Sequence, residues 1–281
     1  MGGPGSTARA RALGKRGWLC LFPIVGLLAG CRSRDAMPIP EAFADEAPTM
    51  EKAQGVAVVE LFTSEGCSSC PPADAVLAEI SRAAKDSGRA VYALELHVDY
   101  WDSLGWPDRF ASPDYSERQR DYARAFGTSG VYTPQMIVDG REQFVGSDST
   151  RAAESISRAL SRPATARVTL RVRASGANAL SVDYQVTGAP AGARLNLAVV
   201  ERAASVVVKG GENAGRTLRH TDLARSLAVA KLIAPSGTEV LNLPPDLPRE
   251  GSQVIAFVQR GPSDGPDGMA VLGASRASLA Q

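Results

Sequence analysis

The chain has 281 residues, 44% of them apolar and 22% charged, which is enough for one large domain or two small ones. Its formal charge of +1 is unevenly spread, because residues 1–30 hold four of the 31 cations (Arg9, Arg11, Lys15 and Arg16) and no acid. What remains sets 27 cations against 30 acids, a net charge of −3, and this mildly acidic body argues against a nucleic-acid partner.

In chain order, the cations lead into an apolar run from Trp18 to Leu28, too short to span a bilayer comfortably. A basic segment followed by a short apolar one reads as an export signal over residues 1–30. The run ends Leu28-Ala29-Gly30-Cys31, which resembles a bacterial lipobox whose Cys31 is acylated; an ordinary signal peptide or an uncleaved anchor are the alternatives. Residues 31–54, rich in Ala, Pro and acids, read as a flexible tether. The expected location is the periplasmic side of the cell envelope, touching the membrane through lipid alone. Arg32, standing where an Asp signals inner-membrane retention, leans toward the outer membrane.

Val56 to Phe62 is a near-continuous apolar strand of the kind buried on both faces. Cys67-Ser68-Ser69-Cys70 follows after a short loop, then Pro71-Pro72 and apolar residues at helical spacing to Ala84. The cysteine pair therefore stands where a buried strand hands over to a helix N-terminus. Unpaired amides and the positive end of the helix dipole favour an anion there, and so a thiolate. Cys20 falls within the signal and Cys31 goes to lipid, so Cys67 and Cys70 have only each other. A loop this small stabilises little as a staple and suits a bridge that is made and broken. An inert local bridge and half of a metal site remain as alternatives.

A second strand, Ala90 to Val98, makes a parallel pair with the first and places His97 and Asp99 near the cysteines. Tyr100 to Tyr132 holds eight of the sixteen aromatics. Within it, Ser112-Pro113 opens a helix that Gly127 closes. Trp101, Trp106 and Tyr132 either wall a groove over the site or belong to aromatics that pack the inserted helix onto the sheet. Thr133-Pro134 heads a strand that turns at Asp139-Gly140 into another, and a helix runs from Thr150 to Leu160.

Beyond Ala164 the pattern alternates, with strands at 168–173, 180–186, 195–200 and 254–258 separated by Gly/Pro turns, and reads as a small antiparallel sandwich. The Gly-rich stretch Gly210 to His220 reads as a surface loop, one able to reach the first domain or a partner.

The order strand–CxxC–helix–strand–helix–Thr-Pro–hairpin–helix resembles the thioredoxin fold over residues 55–162. The wording is closer still to the exported bacterial DUF1223 proteins. Val59–Pro72 (V-E-L-F-T-S-E-G-C-S-S-C-P-P), His97–Trp106 (H-V-D-Y-W-D-S-L-G-W) and Val131–Met136 (V-Y-T-P-Q-M) all match that family's motifs. The resemblance implies a cis Pro134 that faces the cysteine pair and, with Thr133, holds a client backbone. There are departures: Leu61 stands where thioredoxin has its buried acid, and Glu60, one residue away, points to the opposite face. His97 or Asp99 is the expected proton-transfer group in its place.

The expected fold class is thus an α/β thioredoxin-like domain (55–162, with an aromatic helical insertion) followed by a small all-β, sandwich-like domain (163–281). The expected activity is thiol–disulfide exchange with protein clients. Cys67, the more exposed, attacks; Cys70 resolves; Thr133 and Pro134 position; a redox partner recycles the pair. No cofactor or metal is required. The alternatives are a scaffold lipoprotein with an inert bridge, or a Cu(I)-handling protein using Cys67, Cys70 and His97.

Overall fold

A computed structural model describes residues 54–261 and 267–279. The expected signal, all but the last residue of the tether, and Cys31 lie outside these residues.

β1 (Ala57–Thr63) is buried along its whole length, as its unbroken apolar run requires, and leads through a turn into α1 (Pro71–Ser87). Pro71 and Pro72 occupy the first turn of α1, where no amide is needed, and Gly88 closes it at φ 65°. β2 (Val91–His97) pairs parallel to β1, and a short 3-10 helix, Asp99–Leu104, follows it. α2 (Pro113–Phe126) is capped by the Ser112 hydroxyl, which accepts from the Asp114 amide. β3 (Gln135–Val138) pairs antiparallel with β1 and, through the Asp139-Gly140 turn, with β4 (Glu142–Val145); α3 (Ser149–Ser161) follows.

Seven strands complete the chain: β5 (Arg167–Ala174), β6 (Ala179–Thr187), β7 (Arg194–Val207), β8 (Thr217–Lys231), β9 (Ser236–Asn242), β10 (Ser252–Gln259) and β11 (Val271–Ser278). Their arrangement corrects the expected architecture. There is no α/β thioredoxin-like domain followed by a separate small sandwich. The molecule is mostly β, and its main sheet has eight strands in the order β11-β10-β7-β8-β2-β1-β3-β4, drawn from both halves of the chain. The described residues form three α-helices and the 3-10 helix against eleven strands.

The physical reason lies at β2. The first half leaves one edge of this fully buried strand without a backbone partner, and buried amides and carbonyls require one. β8 meets that edge, with Glu95 opposite Leu223, and brings β7, β10 and β11 with it. Only β5, β6 and β9 form a second sheet. It packs Val168, Val182, Tyr184 and Val186 against Leu195, Leu197, Val254 and Ala256 of the large one.

Alternation along β1 and β2 sorts the two faces. Ala57, Val59, Leu61, Val91 and Ala93 face α1 and α3. Val58, Phe62, Leu94 and Leu96 face Tyr115 and Tyr122 of α2, and that core runs on into Ala198, Val200, Ile255 and Phe257 of β7 and β10. Glu60, on the α2 face, meets Arg118, whose guanidinium donates to its two oxygens at 2.5 and 3.0 Å. Arg118 also donates to Asn196 of β7 at 3.1 Å and Gln259 of β10 at 3.2 Å, joining α2 to the strands of the second half. Among the described residues no helix is long and apolar enough to cross a membrane.

Candidate functional site

Cys67 and Cys70 are joined by a disulfide, with their Cα atoms 5.4 Å apart. Cys70 is the residue before the first helical turn, and its carbonyl accepts from the Ala73 and Asp74 amides at 2.8 and 3.1 Å. The Thr133–Pro134 peptide is cis. The Thr133 hydroxyl donates to Cys67 Sγ at 3.4 Å, and the Ser69 hydroxyl lies 3.3 Å from the same sulfur. Trp101 Nε1 donates to the Thr133 oxygen at 2.8 Å, which leaves the hydroxyl hydrogen for the sulfur. Two hydroxyls beside one sulfur favour its anionic form once the bridge is reduced.

Cys67 is not the more exposed partner. Both cysteines are 0% exposed, and Ser68 and Ser69 form the accessible part of the turn. The cover comes from the far half of the chain. Beyond the pairs that keep it in the sheet, the β7–β8 hairpin runs out across α1, where Ser81 donates to Asp222, and its tip, residues 208–216, lies on the cysteine turn. Asn213 Nδ2 donates to the carbonyls of Glu65 and Cys67, each at 2.9 Å, and a Glu212 oxygen accepts from the Ser68 amide at 2.9 Å. Gly210 lies so close to the 3-10 helix that a Cβ there would stand 2.4 Å from the Gly105 carbonyl oxygen. The Gly-rich stretch therefore reaches the first half of the chain.

Beneath this turn runs a buried chain of alternating carboxylates and imidazoles. Asp108 lies 2.6 Å from His97 Nδ1, and His97 Nε2 lies 3.2 Å from Glu95 Oε1. The same Glu95 oxygen lies 2.7 Å from His220 Nδ1, and His220 Nε2 lies 3.2 Å from Glu65 Oε1. Trp106 Nε1 closes the series, donating to Glu65 Oε2 at 2.6 Å. Glu95 and His97 share the α1 face of β2 because they are two residues apart, and β8 delivers His220 to that face.

Burial opposes charge on His97, His220, Glu95 and Asp108, and their neighbours overcome it. Asp108 and Glu95 outweigh desolvation at His97 and hold the ring well above its ordinary range. Burial likewise disfavours the charged His220 ring, but Glu65 and Glu95 raise it to about 9. Against the pull of burial, the two imidazoles in turn lower Glu95 to about 2, and His97 with the Glu65 and Phe110 amides lowers Asp108 to about 2. Asp74, one helical turn beyond Cys70, takes the opposite course: burial and the nearby Glu95 charge raise it to about 7. Its oxygen accepts from the Thr63 hydroxyl at 2.7 Å.

The structure brings Cys67, Cys70, Thr133 and Pro134 together, with His97 locked below by its two carboxylates. Asp99 is elsewhere: its carboxylate takes the Ser116 hydroxyl at 2.5 Å on α2. Trp101 and Trp106 turn their indole N–H groups into the site, whereas the Tyr132 hydroxyl goes to Gln143 at 2.5 Å. Glu65, Asp74, Glu95, Asp108, Asn213 and His220 were not singled out as site residues from the sequence. For Glu95 a signal was there, since a carboxylate two residues before a His inside an apolar strand puts two polar groups on one buried face. Asp74, at helical spacing among buried apolar residues, carried a similar one.

Residues 58–259 match the family described as "protein of unknown function (DUF1223)". The crystal structure of protein AGR_C_4864 from Agrobacterium tumefaciens is similar at 29% identity with a TM-score of 0.58, over 81% of this chain and 96% of that one. A domain of the outer membrane lipoprotein Omp28 from Porphyromonas gingivalis aligns at 9% identity with a TM-score of 0.26, over 42% of this chain and 90% of that one. No curated protein matches. With most of its length matched, from β1 to the end of β10, the chain belongs to the DUF1223 family.

Proposed function

We propose that the protein is a thiol–disulfide oxidoreductase of the cell envelope, lipid-anchored through Cys31, whose Cys67–Cys70 pair exchanges with protein clients once the 208–216 cover lifts. The observation that carries the reading is the setting of Cys67 Sγ, at a strand-to-helix junction with the Thr133 and Ser69 hydroxyls beside it.

In the oxidised form a client thiolate attacks Cys67 Sγ, a mixed disulfide forms, and Cys70 leaves as a thiolate. A second client thiolate then attacks the client sulfur of the mixed disulfide, releasing Cys67; the client gains a disulfide and the protein two thiols. Run backwards, the same steps reduce a client. Asp74, buried one turn from Cys70 and at home in both protonation states near neutrality, is the group that takes and returns the Cys70 proton. Thr133 and Pro134 position the client at Cys67, and a separate redox protein recycles the pair.

Full burial of both sulfurs favours a second reading, an inert bridge in a binding protein. Trapping separates the two. A Cys70→Ala chain expressed in the envelope accumulates mixed disulfides that a reductant releases, and a Cys67→Ala chain does not. Equal, near-zero adducts from both variants would establish the inert bridge.

A further inference from the structure

Each imidazole of the buried chain turns one nitrogen toward the same oxygen, Glu95 Oε1, and the other toward a carboxylate of its own. His97 presents Nε2 to Glu95 and Nδ1 to Asp108; His220 presents Nδ1 to Glu95 and Nε2 to Glu65. Metal-bound histidines have this pattern, in which one ring nitrogen ligates and the other is oriented by an outer carboxylate. One ligand atom from each of Glu95, His97 and His220 lies within 4.8 Å of the other two, and Glu95 Oε1 is the atom that both rings approach. Two of the three separations are 3.2 and 2.7 Å. Ligands at zinc bond lengths on a tetrahedron stand roughly 3.3 Å apart.

The surroundings hold that geometry. Glu95 Oε2 accepts from the Thr221 amide at 2.7 Å, which fixes the carboxylate with Oε1 inward. Phe110 packs edge-on against both rings with centroids 5.7 Å away, so neither ring turns freely. Glu65, Glu95, His97 and His220 are at most 2% exposed and Asp108 4%. Three buried carboxylates around two imidazoles need positive charge, and a dication supplies as much as two ring protons do.

We infer that Glu95, His97 and His220 form a binding site for a first-row divalent cation, zinc being the best match, with Asp108 and Glu65 orienting the two imidazoles. Two histidines and one carboxylate suit zinc or its borderline neighbours better than Cu(I), which prefers thiolates, or Mg²⁺ and Ca²⁺, which prefer oxygen. Three protein ligands leave a fourth position for water or another small ligand. The site does not depend on disulfide exchange, because it uses neither sulfur.

The test uses the whole mature chain with its disulfide intact, stripped by chelator and titrated with Zn²⁺ against a competing chelator. The expected result is one ion per chain, with the same affinity in a Cys67→Ser, Cys70→Ser variant. His97→Gln and His220→Gln each abolish stoichiometric binding, and Glu65→Gln weakens it by about 10–100-fold. Because a variant in this buried cluster could fail to fold, the unmutated chain is also loaded with Co²⁺. Its absorption spectrum is expected to show the d–d bands of a low-coordinate nitrogen and oxygen site with no thiolate charge-transfer band. Absence of stoichiometric zinc binding, binding retained in a folded His220→Gln chain, or a sulfur ligand in the cobalt spectrum would each overturn the proposal.

Discussion

The side-chain amide of Asn213 donates to the backbone carbonyl of Cys67 at 2.9 Å across 146 residues of sequence. The same amide also holds the Glu65 carbonyl, so one side chain satisfies two buried acceptors and pins the cysteine turn beneath the β7–β8 hairpin tip. Access to the disulfide is thereby coupled to the placement of that tip.

Asn213→Ala removes both bonds, leaving the buried Glu65 carbonyl unpaired and the Cys67 carbonyl with the Cys70 amide at 3.2 Å, at a stability cost of about 1–3 kcal/mol. Because the lost contacts are those of the cover, the disulfide should also become easier to reach. Timed reduction by dithiothreitol under native conditions, followed by mass spectrometry of alkylated thiols, is expected to be at least about ten-fold faster than in the unmutated chain. Unchanged reduction kinetics in a destabilised variant would show that Asn213 supports the fold without controlling access.

Stability should fall as pH rises from mildly acidic to basic. Asp74, raised from 3.8 to about 7, keeps in the folded chain a proton that the unfolded chain has already lost, so its contribution declines over that interval. His220, raised from 6.5 to about 9, contributes fully below the unfolded value and loses its contribution as pH climbs through about 9. Glu95 and Asp108, held at about 2, work in the other direction, stabilising above the ordinary carboxylate range and losing that effect as pH falls toward 2. Urea midpoints measured in chelator should therefore peak between about pH 4 and 6 and be lower at 9. A midpoint higher at pH 9 than at 6 would contradict the charge assignment of the network.

Asp74→Asn removes the group proposed to exchange a proton with Cys70. The rate at which the Cys70 thiol attacks a glutathione adduct on Cys67, re-forming the bridge and releasing glutathione, is expected to fall, and its pH profile to lose an inflection near 7. The amide variant should also be the more stable protein at pH 8, since it no longer buries a carboxylate charge there. If the inflection persists in the variant, the proton goes elsewhere.

Arg118→Ala strands Glu60 on the α2 face with its charge uncompensated and takes one partner from Asn196 and Gln259. A loss of about 3–5 kcal/mol is expected in chemical denaturation. Replacing the pair together, Glu60→Leu with Arg118→Met, should recover most of it. Additive losses in the double variant would mean that the ion pair does not act as a unit.

Local structure was legible where short-range physics decides it. β1, the cysteine turn, α1 with its two prolines, the Ser112 cap, the Gly127 stop and the Asp139-Gly140 hairpin follow from residues a few positions apart, and each formed within about two residues of its expected place. What failed was pairing at a distance. β8 was not read as a strand, because Arg219, His220, Asp222, Arg225 and Ser226 interrupt its apolar positions, yet two of those residues tie it in: Asp222 to Ser81 of α1 and His220 to the buried network. The unpaired edge of β2 that recruits it cannot be seen in the sequence of β2. His97 stands out in the sequence because it ends a strand parallel to β1, which places it beside the cysteines. His220 went unassigned because its partners, Glu65 and Glu95, lie 155 and 125 residues away.

Whether Cys67 is the exchanging sulfur of a reactive pair is decided by equilibrating the native protein with glutathione redox buffers and quantifying each cysteine by alkylation and mass spectrometry. A reactive pair gives a reversible transition that follows the ratio of squared glutathione to glutathione disulfide, with the transient adduct on Cys67 and not on Cys70. A disulfide that resists every buffer until the chain is unfolded, or an adduct that forms on Cys70 instead, would contradict it.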